Sequence, residues 1–160
     1  MTITATQGPA LYDELQTAAR GLFEGERDFI ANAANLSALI YNHLPDLNWC
    51  GFYLMRDGEL VVGPFQGQVA CVRIGMGKGV CGTAAERRET VIVPDVHAFP
   101  GHIACDVRSR SEIVVPLIKG DTVLGVLDLD SPSLARFSEE DAAGLDALVA
   151  IFLEGSDPQY

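Results

Sequence analysis

Five residues able to act as nucleophiles or metal ligands gather in the middle of the chain: Cys71, Cys81, His97, His102 and Cys105. Three readings are open for them. In the first, the cysteines are small buried hydrophobes, as free Cys usually is. Cys50, mid-strand beside Trp49, fits that role. In the second, His97, His102 and Cys105 ligate zinc together with Cys71 or Cys81. The familiar spacing is absent, however: no Cys-x2-Cys pair occurs, and Cys71 and Cys81 are split by a Gly-rich loop. The third is thiol redox catalysis. Cys105 sits in a polar loop segment beside His102, Arg108 and Arg110, any of which could assist a thiolate. The adjacent Asp106 opposes a resting thiolate. An acid-assisted reaction, with the substrate oxygen protonated as sulfur attacks, turns nearby carboxyls into assets.

Carboxylates are the second unusual feature. Glu112 precedes the apolar run Ile113 to Ile118, and Asp128 and Asp130 flank Leu129. On a strand, i and i+2 point to one face, so Asp128 and Asp130 project together. Like charges that close repel unless a cation binds or one is protonated. Either both face solvent, with Asp130 capping the Ser131-Pro132 turn, or they line an acidic pocket for an ammonium group or a metal. Trp49 and Tyr53 also share a face. They are either core or the aromatic wall of a pocket for a small cation with an apolar arm.

The chain that carries these groups has 160 residues, 48% of them apolar. That is enough for one domain with a real core, and it excludes a disordered chain. With 11 Lys+Arg against 22 Asp+Glu, the formal net charge is −11. The bases are scattered, so neither a nucleic acid nor an anionic membrane is an expected partner. The N-terminus has no basic region followed by an apolar run, and no stretch approaches the ~18–20 apolar residues that span a bilayer. A cytoplasmic location is expected, where thiols stay reduced.

Periodicity supplies the elements. Leu11, Leu15, Ala18 and Leu22 share one face of a predicted helix over 9–23, and a second helix is expected over 27–44. Strands are expected at Trp49–Met55, Glu59–Phe65 and Val69–Ile74, with a turn at Arg56-Asp57-Gly58. A Gly-rich turn, 75–79, leads to a short helix over 80–87. Next come a strand at 91–93 and an irregular stretch over 94–110, long enough to be functional. A hairpin pairs Ile113–Ile118 with Thr122–Leu129, and Ser138 caps a last helix. Residues 1–8 and 155–160 are expected to fray. The order is α+β, a largely antiparallel sheet with flanking helices, in a single domain over 1–160.

Seven stretches then carry a family resemblance. They are Trp49 to Tyr53, Leu60 to Arg73, Gly77 to Ala84, Asp95-Val96-His97, Gly101-His102-Ile103-Ala104-Cys105-Asp106, Ser111 to Leu117, and Gly125 to Ser131. Together they resemble the free methionine-R-sulfoxide reductases, small proteins of the GAF-domain fold. The resemblance runs from Trp49 to Phe152 and implies roles by position. Cys105 matches the nucleophile that attacks the sulfoxide sulfur. Cys71 matches the cysteine that resolves the sulfenic acid as a disulfide, and Cys81 a third that takes part in recycling in some members. Trp49 and Tyr53 match the aromatic wall. Glu112, Asp128 and Asp130 match the acids that bind the ammonium and protonate the oxygen. The implied substrate is free methionine sulfoxide and the implied reductant is thioredoxin. No bound cofactor or metal is implied, and a homodimer through the helices is expected. Cys50 departs from the pattern by adding a thiol expected near the pocket wall. The rival from another class is a non-catalytic GAF sensor of a small ligand, a domain usually joined to an effector.

Overall fold

The computed structural model describes residues 2–103 and 105–158; Met1, Gln159, Tyr160 and the motif residue Ala104 lie outside them. Four helices surround a six-stranded sheet. In chain order these are α1 (Gly8–Phe23), α2 (Phe29–His43), β1 (Trp49–Arg56), β2 (Glu59–Gly67), β3 (Arg73–Gly75), α3 (Gly79–Arg87), β4 (Val91–Val93), β5 (Ser111–Lys119), β6 (Thr122–Ser131) and α4 (Glu139–Glu154). The spatial order is β3-β2-β1-β6-β5-β4, and every neighbouring pair is antiparallel. The architecture is the expected α+β class.

Strand alternation divides the interior in two. Cys50, Phe52 and Leu54 of β1, with Ile113, Val115, Leu117, Leu127 and Leu129, pack against α1, α2 and α4. Trp49, Tyr53, Val114 and Val126 point the other way, toward α3 and its Val80, Cys81, Ala84 and Ala85. The first core holds most of the large aliphatics, each worth roughly 1.5–3 kcal/mol on full burial. The second is smaller and holds the polar groups. The helical layer is pinned by side-chain chemistry. Asp28 caps α2 by accepting from Ala31 N at 2.8 Å, and Ser138 N donates to Asp141 Oδ2 at 2.9 Å at the head of α4. Tyr12 Oη of α1 donates to Asp141 Oδ1 at 2.7 Å, which joins α1 to α4.

Two expectations change. The predicted third strand, Val69–Ile74, shrinks to Arg73–Gly75. Sequence alternation suggests pairing along the whole stretch, but upstream of Val72, whose carbonyl still accepts from Val62 N at 2.9 Å, the chain is held by side chains: Trp49 Nε1 donates to Gln68 O at 3.1 Å and Tyr53 Oη to Cys71 O at 2.9 Å. The segment therefore runs as an irregular strip over the sheet face. The C-terminal stretch, expected to fray, is docked through Asp157. Asp157 N donates to Arg27 O at 2.9 Å, and Asn32 Nδ2 donates to the buried Ser156 Oγ at 2.9 Å. At the other end, Thr4 N donates to Glu14 Oε2 at 2.7 Å.

The α1–α4 contact depends on a missing side chain. A Cβ on Gly144 would run into the ring of Tyr12, which its bond to Asp141 prevents from retreating. Gly144→Ala is expected to lower stability by about 1–3 kcal/mol, the usual cost of overpacking. Urea denaturation measures it, and an unchanged midpoint would show that the ring can move.

Candidate active site

The second face of the sheet forms a pocket floor. Register places Trp49 opposite Asp130, and Asp130 opposite Glu112, in one cross-strand row. The next row is Phe65, Gly51, Asp128 and Val114. Gly51 is required there, because a Cβ would collide with Phe65. Phe65 can then stack on Trp49, with ring centroids 5.1 Å apart and planes at 18°, while Tyr53 stacks on its other neighbour position at 5.7 Å. Three aromatics from β1 and β2 thus form one wall. Glu112, Asp128 and Asp130 form the adjoining floor. Trp49, Tyr53, Glu112 and Asp128 are all buried.

The roof is covalent. Cys71 and Cys105 are joined by a disulfide, with Cα atoms 5.4 Å apart. Beneath it lies a cavity of about 40 Å³ lined by Trp49, Tyr53, Cys81, Glu112, Asp128 and Asp130, among others. Cys81, from the first turn of α3, brings Sγ within 4.0 Å of Glu112 Oε2.

The loop that carries Cys105 is latched to the sheet. Asn48, one residue before β1, donates from Nδ2 to Asp106 Oδ2 at 3.1 Å and to Ser109 Oγ at 3.0 Å. Its own N–H donates to Asp130 O at 2.9 Å. Arg108 bonds Asp106 through its backbone N–H and its guanidinium at 2.8–3.3 Å. These bonds, Arg108 first, hold the Asp106 carboxyl down at about 2.

No Lys or Arg lines the cavity, and the electrostatics follow from that. Burial, then Asp128 and Asp130, push Glu112 well above the usual carboxylate range. Burial and then Asp128 do the same to Asp130, which is half-buried at the mouth. Burial raises Asp128 too, opposed by bonds from Glu112 and Cys81. The Cys81 thiol is raised by burial and then by Asp128 and Glu112. The floor is therefore a store of protons. Asp128 Oδ1, buried, has no hydrogen-bond partner among the described residues.

Known proteins are similar to this chain in sequence and in fold. The GAF domain family matches over residues 31–152. The free methionine-R-sulfoxide reductase of Escherichia coli is 53% identical over 139 residues, 87% of this chain and 84% of that one. The structure of free methionine-R-sulfoxide reductase from Neisseria meningitidis in complex with its substrate is 44% identical, covers 97% of this chain and 93% of its own, and superposes with a TM-score of 0.93. This chain belongs to the free methionine-R-sulfoxide reductase family. It is an oxidoreductase built on a GAF domain. A third relative, the reduced form of the Staphylococcus aureus fRMsr, is 49% identical over 97% of this chain and 99% of that one, with a TM-score of 0.89.

In this reductase-family chain the structure gathers eight predicted residues around one cavity: Trp49, Tyr53, Cys71, Cys81, Cys105, Glu112, Asp128 and Asp130. Cys50 is not among them. It lies on the opposite face of β1, fully buried under the helices, rather than near the pocket wall as expected. The alternative zinc set does not assemble either. Cys71 and Cys105 are consumed by the disulfide, and the His97 and His102 rings meet edge to face at 6.2 Å. The ligand atoms that do converge, within 4.8 Å, are those of Cys81, Glu112 and Asp128. Asp130 does not act as a turn cap: Ser131 Oγ accepts from Ser133 N instead. Arg108, a candidate helper for a thiolate, is bound to Asp106. Phe65 and Asn48 were missed in the sequence. Phe65 lies in a Gly-Pro-Phe run whose facing residue is known only from the β1–β2 register, and Asn48 reads as an ordinary pre-strand residue.

A raised carboxyl has a stability signature. Glu112 holds its proton to higher pH when folded than when unfolded, so its contribution to stability is present at low pH and lost as pH rises through the folded value. Gln has no proton to lose. Glu112→Gln is expected to gain on the wild type in thermal melts as pH rises above the ordinary carboxylate range. A difference that stays constant with pH would contradict a neutral Glu112.

Proposed function

We propose that this protein reduces free methionine-R-sulfoxide to methionine, with Cys105 as nucleophile, Cys71 as resolving thiol and thioredoxin as reductant. The observation that carries this reading is the Cys71–Cys105 disulfide lying over a cavity walled by aromatics and floored by proton-holding carboxyls. The comparisons support it, since relatives bearing that activity in their names align along nearly the whole chain.

The chemistry follows from the groups present. The Cys105 sulfur attacks the electrophilic sulfoxide sulfur. The sulfoxide oxygen takes a proton from the Glu112, Asp128 and Asp130 set, and ends on Cys105 as a sulfenic acid while methionine departs. Positioned general acids contribute typically 10²–10⁴ in rate. Cys71 then attacks the sulfenic sulfur, a disulfide forms and water leaves. The Asp128 Oδ1 without a protein partner is the natural acceptor for the substrate ammonium, and Trp49 and Tyr53 suit its S-methyl end. Cys81, held protonated beside Glu112, acts as a reserve thiol in recycling rather than as the first nucleophile. The disulfide form is the spent state of this scheme, since both thiols are consumed in it. No bound cofactor or metal takes part in this scheme.

The same reading treats the chain as one domain over 1–160 acting in the cytoplasm, where reductants recycle the disulfide. Among the described residues no helix is long and apolar enough to cross a membrane. A homodimer through the helices is proposed on the exposed Leu22 of α1 and Ile30 of α2.

The test is thioredoxin-coupled turnover of free methionine-R-sulfoxide. Wild type is expected to consume it, Cys105→Ser to be inactive, and Cys71→Ser to release one methionine per chain and stop. Glu112→Gln is expected to lower kcat/KM by about 10²–10⁴, the range for a lost general acid. Full activity in Cys105→Ser would remove the nucleophile assignment. Tight small-ligand binding without turnover would instead mark a sensor.

A further inference from the structure

Eight large hydrophobic side chains stay exposed among the described residues, and four of them, Val69, Val72, Ile103 and Val107, lie within two positions of Cys71 or Cys105. Val107 is 89% exposed and Val72 61%. Because the cysteine Cα atoms are 5.4 Å apart, and two residues of chain reach at most about 7.6 Å, the four side chains ring the disulfide. Val69 and Ile103 also line the cavity, so the substrate accounts for them. Val72 and Val107 do not line it, and nothing in the sulfoxide chemistry uses them.

Charge marks the same spot. Within five residues of either cysteine stand Arg73, Arg108 and Arg110 and one acid, Asp106, in a chain with 22 acids and 11 bases. Arg73 and Arg108 keep more than half or half of their side-chain surface in solvent while pairing with Glu59 and Asp106. Arg110 is exposed. Two of these arginines are thus neutralised by acids, and Arg110, exposed and with no acid paired to it among the described residues, is the uncompensated cation near an otherwise apolar surround. Both cysteines are half-buried rather than sealed.

We propose that Val72 and Val107, with Arg110 at their edge, form the docking face for a dithiol protein whose reactive cysteine is surrounded by apolar side chains. This deepens the reading of the disulfide as a turnover product and rests on it. The partner's thiolate attacks one sulfur of the Cys71–Cys105 bond and forms a mixed disulfide. Its second thiol then attacks the mixed disulfide, leaving the partner oxidised and Cys71 and Cys105 as thiols. Two electrons and two protons pass to this chain. A face this small suits a weak, transient encounter. Arg110 raises its on-rate where the partner presents an acidic group.

The experiment reduces the oxidised protein with no sulfoxide present and counts freed thiols by alkylation and mass. Reduced thioredoxin is one reductant and dithiothreitol the other. The Val72→Ser/Val107→Ser double variant is expected to lose about tenfold or more in the second-order rate with thioredoxin, the size of a modest hot spot, and nothing with dithiothreitol. Arg110→Glu is expected to slow thioredoxin alone, more so at low salt. An unchanged thioredoxin rate in the double variant overturns the proposal. So does an equal fall with both reductants, which would place the valines in the stability of the disulfide instead. Wild type reduced by dithiothreitol and not by thioredoxin overturns it as well. Failure of the sulfoxide reading would show separately, as absent turnover in a protein whose disulfide thioredoxin still reduces.

Discussion

Three carboxyl groups share one sheet face with no Lys or Arg among the described residues lining the cavity beside them. The electrostatics of the site follow from this constraint. Burial without such a partner is costly for a carboxylate and cheap for a carboxylic acid, so Glu112, Asp128 and Asp130 each bind a proton more tightly than exposed acids do. The same field keeps Cys81 a thiol. It also explains why the apolar work of the fold is done elsewhere. The large core lies on the other side of the sheet, where α1, α2 and α4 bury the aliphatic residues. That surplus can support a second face that is polar and strained electrostatically.

The strands make the arrangement unavoidable once register is set. Because side chains alternate, a one-residue slip of β6 would send Asp128 and Asp130 into the helical core and Leu127 and Leu129 into the pocket. The hydrophobic residues therefore fix where the acids point. Strand parity is also what could be read from the sequence. The pairs Trp49 with Tyr53 and Asp128 with Asp130 share a face by spacing alone, and their convergence was expected. So were both β hairpins, the four helices and the α+β class, since their periods and turn residues are local.

What could not be read is what depends on register or on long-range side-chain bonds. Phe65 reaches Trp49 only because Gly51 leaves room opposite it. Asn48 reaches Asp106 across 58 residues. The strip around Cys71 has the alternation of a strand, and it lost pairing to hydrogen bonds from aromatic side chains that sequence patterns do not encode. Cys50 was placed near the pocket by its neighbours in sequence, although strand parity, applied to it as to Trp49, puts it on the far face. The tail was judged polar and free, but Ser156 and Asp157 find partners at the start of α2.

Trp49 and Tyr53 do two jobs at once. Their rings form the wall, and their polar atoms hold the strip that carries Cys71. Pocket shape and disulfide closure are therefore mechanically one part. For evolution or engineering this is a restriction on the route to a new substrate. Trimming the wall to admit a bulkier ligand also releases the backbone that presents Cys71. Substrate range and the rate of closure cannot be tuned as separate traits from these two positions. A broader pocket has to be opened from the side of α3, where Val80 lines the cavity and holds no part of the redox pair.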